Sequence, residues 1–170
     1  KGLLAHMRQV TPHHKTSTWS DYAETATHYS SDDHTSKRSF VAQELAAAKP
    51  SRVLDVGCNT GVYSILAADA GAEVVSVDTD LQAVDRLSAN LRGSGKNILP
   101  LCVDLAYPTP STGWENRESA SFLSRCSGHF DTVMMLAVTP IPAELIAAAN
   151  VFSVLLLAST VIVWLAPEPT

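Results

Sequence analysis

Short apolar runs alternate with amphipathic stretches along most of the chain. The apolar runs, rich in β-branched residues, predict strands at RVLDVG, EVVSVD, ILPLCVDL and FDTVMMLAV. Stretches with helical spacing lie around and between them, at SKRSFVAQELAAAK, VYSILAADAG, DLQAVDRLSANLRGSG and ESASFLSRC. Ser36 is the predicted N-cap of the first helix, and Gly71 is expected to end the second. Strands that alternate with helices predict an α/β fold, with a doubly wound, mostly parallel sheet that carries helices on both faces.

The two ends of the chain have other patterns. Residues 1–36 are polar, and we expect an N-terminal arm or lid there, followed by one folded domain over residues 37–170. Within the arm, Trp19, Tyr22 and Tyr29 are spaced as on one helix face, and they are expected either to cover a ligand or to make ordinary core contacts. Residues 151–166 carry no charge but are fewer than the roughly 18 to 20 of a spanning helix. We interpret them as the end of a buried helix that runs into a parallel core strand, rather than as a membrane anchor.

Composition narrows the class of protein. At 170 residues and 46% hydrophobic content, the chain can bury one substantial core. The net charge of −5 disfavours a nucleic-acid scaffold. The three cysteines, Cys58, Cys102 and Cys126, include no CxxC pair, so we expect reduced, buried and inert thiols. The first ten residues lack the apolar run of a secretory signal, and the predicted localisation is cytoplasmic.

Residues 53–80, VLDVGCNTGVYSILAADAGAEVVSVDTD, predict a strand, a glycine turn, a helix and a second strand. Gly57 lets the chain turn sharply, and Gly61 lets the helix approach closely. Asn59 stands where a third glycine is often found, and asparagine tolerates a left-handed conformation best after glycine. The turn is expected at the carboxyl edge of the sheet, where open α/β sheets bind ligands. At the tip of the second strand, Asp78 is placed to accept hydrogen bonds from two ribose hydroxyls.

The residues around the turn also limit the chemical class of ligand that it can bind. The run DVGCNTG lacks the G-x-G-x-x-G spacing of a dinucleotide site, and no Gly-Lys-Ser/Thr follows as in a P-loop. Asp55, on the strand before the glycines, would repel a pyrophosphate but suits a cation. The sequence therefore favours a nucleotide-like ligand with an ammonium or sulfonium group. A nicotinamide dehydrogenase and a plain βα turn with a solvated Asp78 are the competing interpretations.

These motifs together resemble those of a known enzyme family. VLDVGCNTG, GAEVVSVDTD, CVDLA and FDTVMMLAV follow the order and spacing of the class I S-adenosylmethionine-dependent methyltransferases, over roughly residues 37–139. The resemblance implies a Rossmann-like fold, S-adenosylmethionine as cofactor and S-adenosylhomocysteine as product. It further implies that Asp55 and the turn hold the methionine end of the cofactor, that Asp78 holds the ribose, and that Asp104 meets the adenine amino group. The remaining implied contacts are Gly57, Cys58, Asn59, Thr60 and Gly61 in the turn, and Thr79 and Leu105 beside the adenine.

The GCNTG motif is also similar to that of a less characterised bacterial subgroup, together with WSDYAETATHY and KRSFV before it and GWENRES after it. These residues do not name a substrate. We expect a small-molecule acceptor, with nucleic acid disfavoured and no membrane partner. A non-catalytic module that binds S-adenosylmethionine or S-adenosylhomocysteine, as a partner subunit or sensor, is the alternative.

The C-terminal part departs from the family's pattern. The family has seven strands and ends in an antiparallel hairpin, whereas this chain ends about where a fifth strand would stop. After LAVT at residues 136–139, the chain passes directly to PIPAELI, where we would expect a loop with polar or His residues near the methyl group. We therefore expect that C-terminal strands and loops of the family are missing from this sequence.

Methyl transfer needs few fixed side chains, so candidates for acceptor chemistry are few. A general base, if one is used, is expected at His28, His34 or Glu115, with a solvated polar residue as the competing interpretation for each histidine. Trp114 is expected to line an acceptor pocket or to anchor its loop onto the sheet. Cys58 is placed where a helix N-terminus can activate a thiol, although its small size is the simpler explanation.

Two histidine-containing groups are candidate metal ligands. His13 and His14 form one, and Asp32, Asp33 and His34 form the other. Both lie in a Ser/Thr-rich stretch without a paired second half, so no metal site is predicted.

Overall fold

The computed structural model describes residues 2–4, 31–136, 151–157 and 160–165. The helices are α1 (Ser31–Ala48), α2 (Val62–Asp69), α3 (Leu81–Leu91) and α4 (Phe122–Cys126), with a short 3₁₀ helix at Trp114–Asn116. The strands are β1 (Arg52–Val56), β2 (Glu73–Asp78), β3 (Ile98–Cys102), β4 (Thr132–Leu136), β5 (Val151–Leu157) and β6 (Thr160–Leu165). They form one sheet in the order β3-β2-β1-β4-β6-β5.

The first four strands are parallel and reverse their order at β1. β1 pairs in parallel with β2 on one side and with β4 on the other, and β2 pairs in parallel with β3. The chain therefore runs outward from β1 to β3 and then returns to the opposite side of β1. Such a reversal opens a crevice at the carboxyl ends of the strands, where open α/β sheets bind ligands. The predicted doubly wound, Rossmann-like arrangement is confirmed.

Apolar side chains are buried on both faces of this sheet. Residues 53–56 of β1 are all buried, because β1 lies between two parallel neighbours and is covered on both sides. One face packs against α4, in a cluster formed by Leu54, Val56, Val77, Phe122, Phe130, Val133 and Met135. The other packs against α1 and α2, in a cluster formed by Val41, Leu45, Val53, Ala67, Ala72, Val74, Met134 and Leu136. The predicted coverage of both faces by helices is confirmed.

The helix ends agree with the sequence signals at α2 and differ at α1. α2 ends at Asp69, and Gly71 follows with a φ of 100°, as predicted. α1 begins at Ser31, five residues before the predicted N-cap Ser36, which is an exposed residue inside the helix. The prediction of a start at Ser36 was wrong because Ser31 and the two aspartates after it also suit a first helical turn.

The prediction for residues 151–166 was wrong in two respects. Val151–Leu157 forms a strand rather than the end of a helix, and β6 pairs antiparallel with both β4 and β5 instead of running parallel in the core. Only two residues separate β5 from β6, and so short a connection suits an antiparallel pair but not a parallel one. An uncharged apolar run has no periodicity that distinguishes a helix from a strand.

The three cysteines differ in their exposure. Cys58 is buried and Cys126 is half-buried, but Cys102 is exposed at the end of β3. Because β3 is the edge strand of the sheet, its last residue has a neighbouring strand on one side only. The prediction that all three thiols are buried was therefore wrong for Cys102. Within the part of the chain that the structure describes, no helix has the length and apolar character needed to span a membrane.

Candidate functional site

The turn after β1 alternates left-handed and ordinary residues. Gly57 has a φ of 70°, Asn59 a φ of 49° and Gly61 a φ of 83°. The predicted left-handed conformation of Asn59 is confirmed. Gly61 precedes α2, and a side chain added there would clash with Leu87 of α3. The glycine is therefore required both for its backbone conformation and for the close approach of α3.

Hydrogen bonds tie the turn to the end of β2. The N–H groups of Gly57 and Cys58 both donate to the carbonyl of Val77, at 2.9 and 3.1 Å. The N–H of Asn59 donates to Oδ2 of Asp78 at 2.8 Å. The carboxylate at the tip of β2 and the glycine turn therefore form a single unit.

The remaining N–H groups of the turn are bonded within it. That of Thr60 donates to Oδ1 of Asn59 at 2.7 Å, and that of Gly61 donates to the carbonyl of Cys58 at 2.9 Å. All five N–H groups of residues 57–61 thus have partners inside the protein. A phosphate-binding loop offers free N–H groups to its ligand. This turn does not, which favours a ligand without a phosphate group.

Asp78 is half-buried and positioned through both of its oxygens. Besides the bond from Asn59, its Oδ1 accepts the N–H of Asp80 at 2.9 Å. Asp80 in turn caps α3, because its Oδ1 accepts the N–H groups of Gln82 and Ala83. A carboxylate has about four lone-pair sites, so each oxygen of Asp78 keeps the capacity for one more donor. This arrangement suits a diol.

Asp55 is a second carboxylate, in the interior of β1 and only 2% exposed. Its Oδ2 accepts the hydroxyl of Ser64 at 2.5 Å, and that hydroxyl oxygen accepts the hydroxyl of Ser76 at 2.8 Å. Burial raises the pKa of Asp55 to about 6, with a smaller increase from the charge of Asp78, while the bonds from Ser64 oppose the rise. Asp55 therefore changes its charge close to physiological pH.

Cys58 is not an activated nucleophile. Burial raises the pKa of its thiol, and the charges of Asp55 and Asp78 raise it further. The thiol donates to the neighbouring carbonyl of Asn59 at 3.6 Å. The alternative of a thiolate at the helix N-terminus was wrong, because burial and, after it, the two carboxylates disfavour the negative form. The small size of Cys58 is the remaining explanation for its place in the turn.

The predicted adenine contacts lie beside Asp78 at the same edge of the sheet. The N–H of Val103 donates to the carbonyl of Asp78 at 2.9 Å, and the exposed Asp104 follows directly. Oδ1 of Asp104 accepts the N–H of Ala106 at 2.9 Å, which fixes the carboxylate. Thr79 is exposed, whereas Leu105 is half-buried and packs against the α4 side of the core.

The loop after β3 presents its aromatic residues to solvent. Trp114 is 79% exposed, so the prediction that it anchors the loop onto the sheet was wrong, and the acceptor-pocket role stays a prediction. The loop is instead closed by a bridge between Thr112 and Ser119. Glu115 is exposed and forms an ion pair with Arg117 at 3.3 Å.

Several candidates from the sequence lie outside the described residues. These are His13, His14, Trp19, Tyr22, His28 and Tyr29. Asp32, Asp33 and His34 belong to the first turns of α1, and their side chains are not described. Among the described side chains, no three of His, Cys, Asp and Glu come together in a group that could hold a metal ion.

Sequence reasoning missed Ser64, which donates to Asp55, and Ser76, which donates to Ser64. Ser64 lies in the mostly apolar helix VYSILAAD, and Ser76 lies between the valines of the strand EVVSVD. Both side chains are fully buried. A small polar residue at a core position of each of two packed elements is the signal that could have paired them, since buried hydroxyls are almost always hydrogen-bonded.

Comparison with known proteins identifies the family. A family model described as a methyltransferase domain matches residues 7–146. The chain belongs to this methyltransferase family. Membership confirms the resemblance to methyltransferases that the sequence motifs indicate.

The similar curated proteins are much longer than this chain. Nodulation protein NoeA of Rhizobium meliloti (strain 1021) is 40% identical over 124 residues, which cover 72% of this chain and 25% of that protein. The ribosomal protein L11 methyltransferase of Thermotoga petrophila is 34% identical over 99 residues, which cover 58% of this chain and 31% of that protein. This methyltransferase chain thus spans between a quarter and a third of the length of these two relatives.

One solved structure has a similar fold over most of the chain. It is a hypothetical protein of Thermus thermophilus, with a TM-score of 0.52 and 17% sequence identity. The match covers 82% of this chain and 87% of that one. At this level of identity the match shows a similar fold and nothing more.

Proposed function

We propose that the protein transfers a methyl group from S-adenosylmethionine to a small-molecule acceptor and releases S-adenosylhomocysteine. In this proposal, Asp78 binds the two ribose hydroxyls, and Asp55 with residues 57–61 holds the methionine end of the cofactor. Asp104 accepts the adenine amino group, with Thr79 and Leu105 beside the ring. The observation that carries the proposal is the bond between Asn59 and Asp78, because it joins the glycine turn to the carboxylate that suits a diol.

The charge of the site supports a cationic nucleoside rather than a phosphorylated one. Asp55 of β1 and Asp78 of the adjacent strand β2 are close enough for the charge of Asp78 to raise the pKa of Asp55. Two neighbouring carboxylates repel a pyrophosphate and stabilise an ammonium or sulfonium group. The N–H groups of the turn, being bonded internally, offer no compensation to a phosphate. The residues present therefore fit S-adenosylmethionine better than a nicotinamide dinucleotide.

The chain's own contribution to the reaction is mainly orientation. When bound, S-adenosylmethionine supplies a methyl group already activated by its positive sulfur. Asp78 and the turn would fix the nucleoside at the carboxyl edge of the sheet, so that an acceptor can approach along the axis of the carbon–sulfur bond. His28, His34 and Glu115 stay predictions for the group that removes the acceptor's proton.

Binding is expected to depend on pH through Asp55. Its pKa of about 6 means that the carboxyl is neutral below pH 6 and charged above it. Because the methionine end of the cofactor carries an ammonium group, affinity for S-adenosylhomocysteine should be about tenfold weaker at pH 5 than at pH 7. Titration calorimetry across this range measures the change. Asp55→Asn should bind with nearly constant affinity from pH 5 to pH 8, and a profile in this variant as steep as that of the wild type would exclude Asp55 as the titrating group.

The acceptor is tested by labelled transfer. The protein is incubated with methyl-labelled S-adenosylmethionine and with three separated cell fractions: small molecules, proteins including ribosomal proteins, and RNA. We expect label in the small-molecule fraction, in line with the net charge of −5, which disfavours a polyanionic acceptor. Label in the protein or RNA fraction would replace the small-molecule proposal with that acceptor. A chain that binds S-adenosylhomocysteine but labels none of the fractions would support the non-catalytic module instead.

A further inference from the structure

A hydrogen-bonded chain of two hydroxyls and one carboxylate crosses the core beneath the turn. It runs from Ser76 on β2 through Ser64 on α2 to Asp55 on β1. Ser64 and Ser76 are fully buried, and Asp55 is 2% exposed. The bond from Ser64 to Asp55, at 2.5 Å, lies in the range of about 2.5 to 2.7 Å typical of a hydroxyl that donates to a charged carboxylate.

Ser64 contacts Asp55 through its backbone as well. Its N–H also donates to the carboxylate, and it belongs to the first turn of α2, where backbone N–H groups have no partner within the helix. Gly61, the N-cap of α2, has no side chain that could serve them. Asp55 therefore takes the place of a capping residue, and its negative charge lies at the helix end that favours an anion.

When Asp55 is charged, all hydroxyl donors between Ser76 and Asp55 point toward the carboxylate. A charged carboxylate only accepts, so the single hydroxyl proton of Ser64 is committed to Asp55. The oxygen of Ser64 then accepts, and Ser76 donates to it at 2.8 Å. Each bond in such a chain polarises the next, so the hydroxyl of Ser76 strengthens the bond that Ser64 makes to Asp55.

We propose that Ser64 and Ser76 are positioning residues that hold Asp55 in its charged form and in a fixed orientation beneath the cofactor turn. The inference rests on the proposed role of Asp55 toward the methionine end of the cofactor. The serines act only through Asp55 and touch no substrate.

No other group described near Asp55 replaces the two serines in stabilising its charged form. Asp78 of β2 opposes a negative Asp55, and Cys58 of the turn stays protonated. On the same face of the sheet, α2 carries Tyr63 and α1 carries Lys37, whose ammonium lies 5.5 Å from the centre of the Tyr63 ring. β4, with the sequence TVMML, contributes no ionisable side chain. Among these groups, Ser64 is the one whose contacts lower the pKa of Asp55.

The first test is the pH profile of S-adenosylhomocysteine binding by the full chain. For Ser64→Ala, the pH midpoint should rise by about one to two units, since a hydrogen bond to a charged group is lost. Affinity at pH 7 should fall by about two- to tenfold and recover at pH 9. Ser76→Ala should shift the midpoint in the same direction by less than one unit. Ser64→Thr, which keeps the hydroxyl, should return the midpoint to that of the wild type.

Thr132→Val provides the matched control. Thr132 is also a buried hydroxyl residue, 1% exposed, but its Oγ1 has no hydrogen-bond partner. This variant should leave the midpoint unchanged. A loss of affinity that is equal at every pH in Ser64→Ala and Ser76→Ala would mean that the serines are only structural, and would overturn the proposal. If Ser64→Ala does not fold, Ser76→Ala decides the question.

A ligand-free measurement separates this inference from the proposed function. A carboxyl whose pKa is raised on folding costs stability as the pH rises from its usual value of 3.8 to its raised value of about 6. The Tm of the wild type relative to Asp55→Asn should therefore fall across this window. In the Ser64→Ala background, the Tm of the protein with Asp55 relative to that of the Asp55→Asn double variant should continue to fall above pH 6. If the wild type binds no S-adenosylhomocysteine but Ser64→Ala extends this pH range upward, the proposed function is wrong and the positioning role of the two serines is supported. If Ser64→Ala leaves the pH range unchanged, the positioning role is wrong.

Discussion

Asp78→Ala is expected to weaken S-adenosylhomocysteine binding by about 100-fold or more. The variant would lose two hydrogen bonds from the ribose hydroxyls to a charged group, each of which contributes about 1.5 to 3 kcal/mol. It would also release the N–H of Asn59, which Asp78 holds at 2.8 Å, so the turn would lose a contact that shapes it. Titration calorimetry at pH 7 measures the loss.

Asp80→Ala is the matched control for Asp78→Ala. Asp80 lies two residues away at the same edge of the sheet and caps α3 through the N–H groups of Gln82 and Ala83. Its removal should cost about 1 kcal/mol of stability but change the affinity by no more than about threefold. A second comparison isolates the ribose: the wild type should prefer S-adenosylhomocysteine to its 2′-deoxy analogue, and Asp78→Ala should lose that preference. If Asp78→Ala binds as the wild type does, the ribose assignment is wrong.

Gly61→Ala is expected to have the largest effect on folding. The backbone of Gly61 has a φ of 83°, which costs a residue with a side chain about 1 to 2 kcal/mol. The added Cβ would also clash with Leu87, a fully buried residue of α3, and such overpacking costs about 1 to 3 kcal/mol more. The free energy of unfolding should therefore fall by about 2 to 5 kcal/mol in urea denaturation.

Gly71→Ala separates the two causes of that loss. Gly71 has a φ of 100°, but a Cβ there would meet no atom within 4 Å. It should cost only the backbone strain of about 1 to 2 kcal/mol. Equal losses in the two variants would show that the contact between Gly61 and Leu87 contributes nothing.

The parallel half of the fold could be predicted because its local signals agree with one another. Gly57, Asn59 and Gly61 have the left-handed conformations that favour their residue types, and Asp78 is the last residue of β2. The spacing from the first glycine to the acid at residue 78 follows from one helix and one strand of ordinary length. Such features depend on neighbours close in sequence, so a single chain is enough to read them.

The features that could not be predicted depend on contacts between segments far apart in the sequence, which local patterns do not show. Residues 151–165 are uncharged and mostly apolar, and only the pairing of β6 with β4 and β5 shows that they form antiparallel strands. The bonds of Ser64 and Ser76 join a helix to two strands. In the sequence, either serine alone gives no sign of a partner. The exposure of Trp114 depends on how its loop folds back on itself between Thr112 and Ser119. These are tertiary effects, and they decide which side chains reach the site.

The central claim is that the turn and Asp78 bind an S-adenosyl cofactor. The most direct measurement is calorimetric titration of the purified chain with S-adenosylhomocysteine, alongside NADH as a dinucleotide control. We expect a dissociation constant on the order of 1 μM for S-adenosylhomocysteine and no measurable binding of NADH. Binding of NADH, or a folded chain that does not bind S-adenosylhomocysteine, would contradict it.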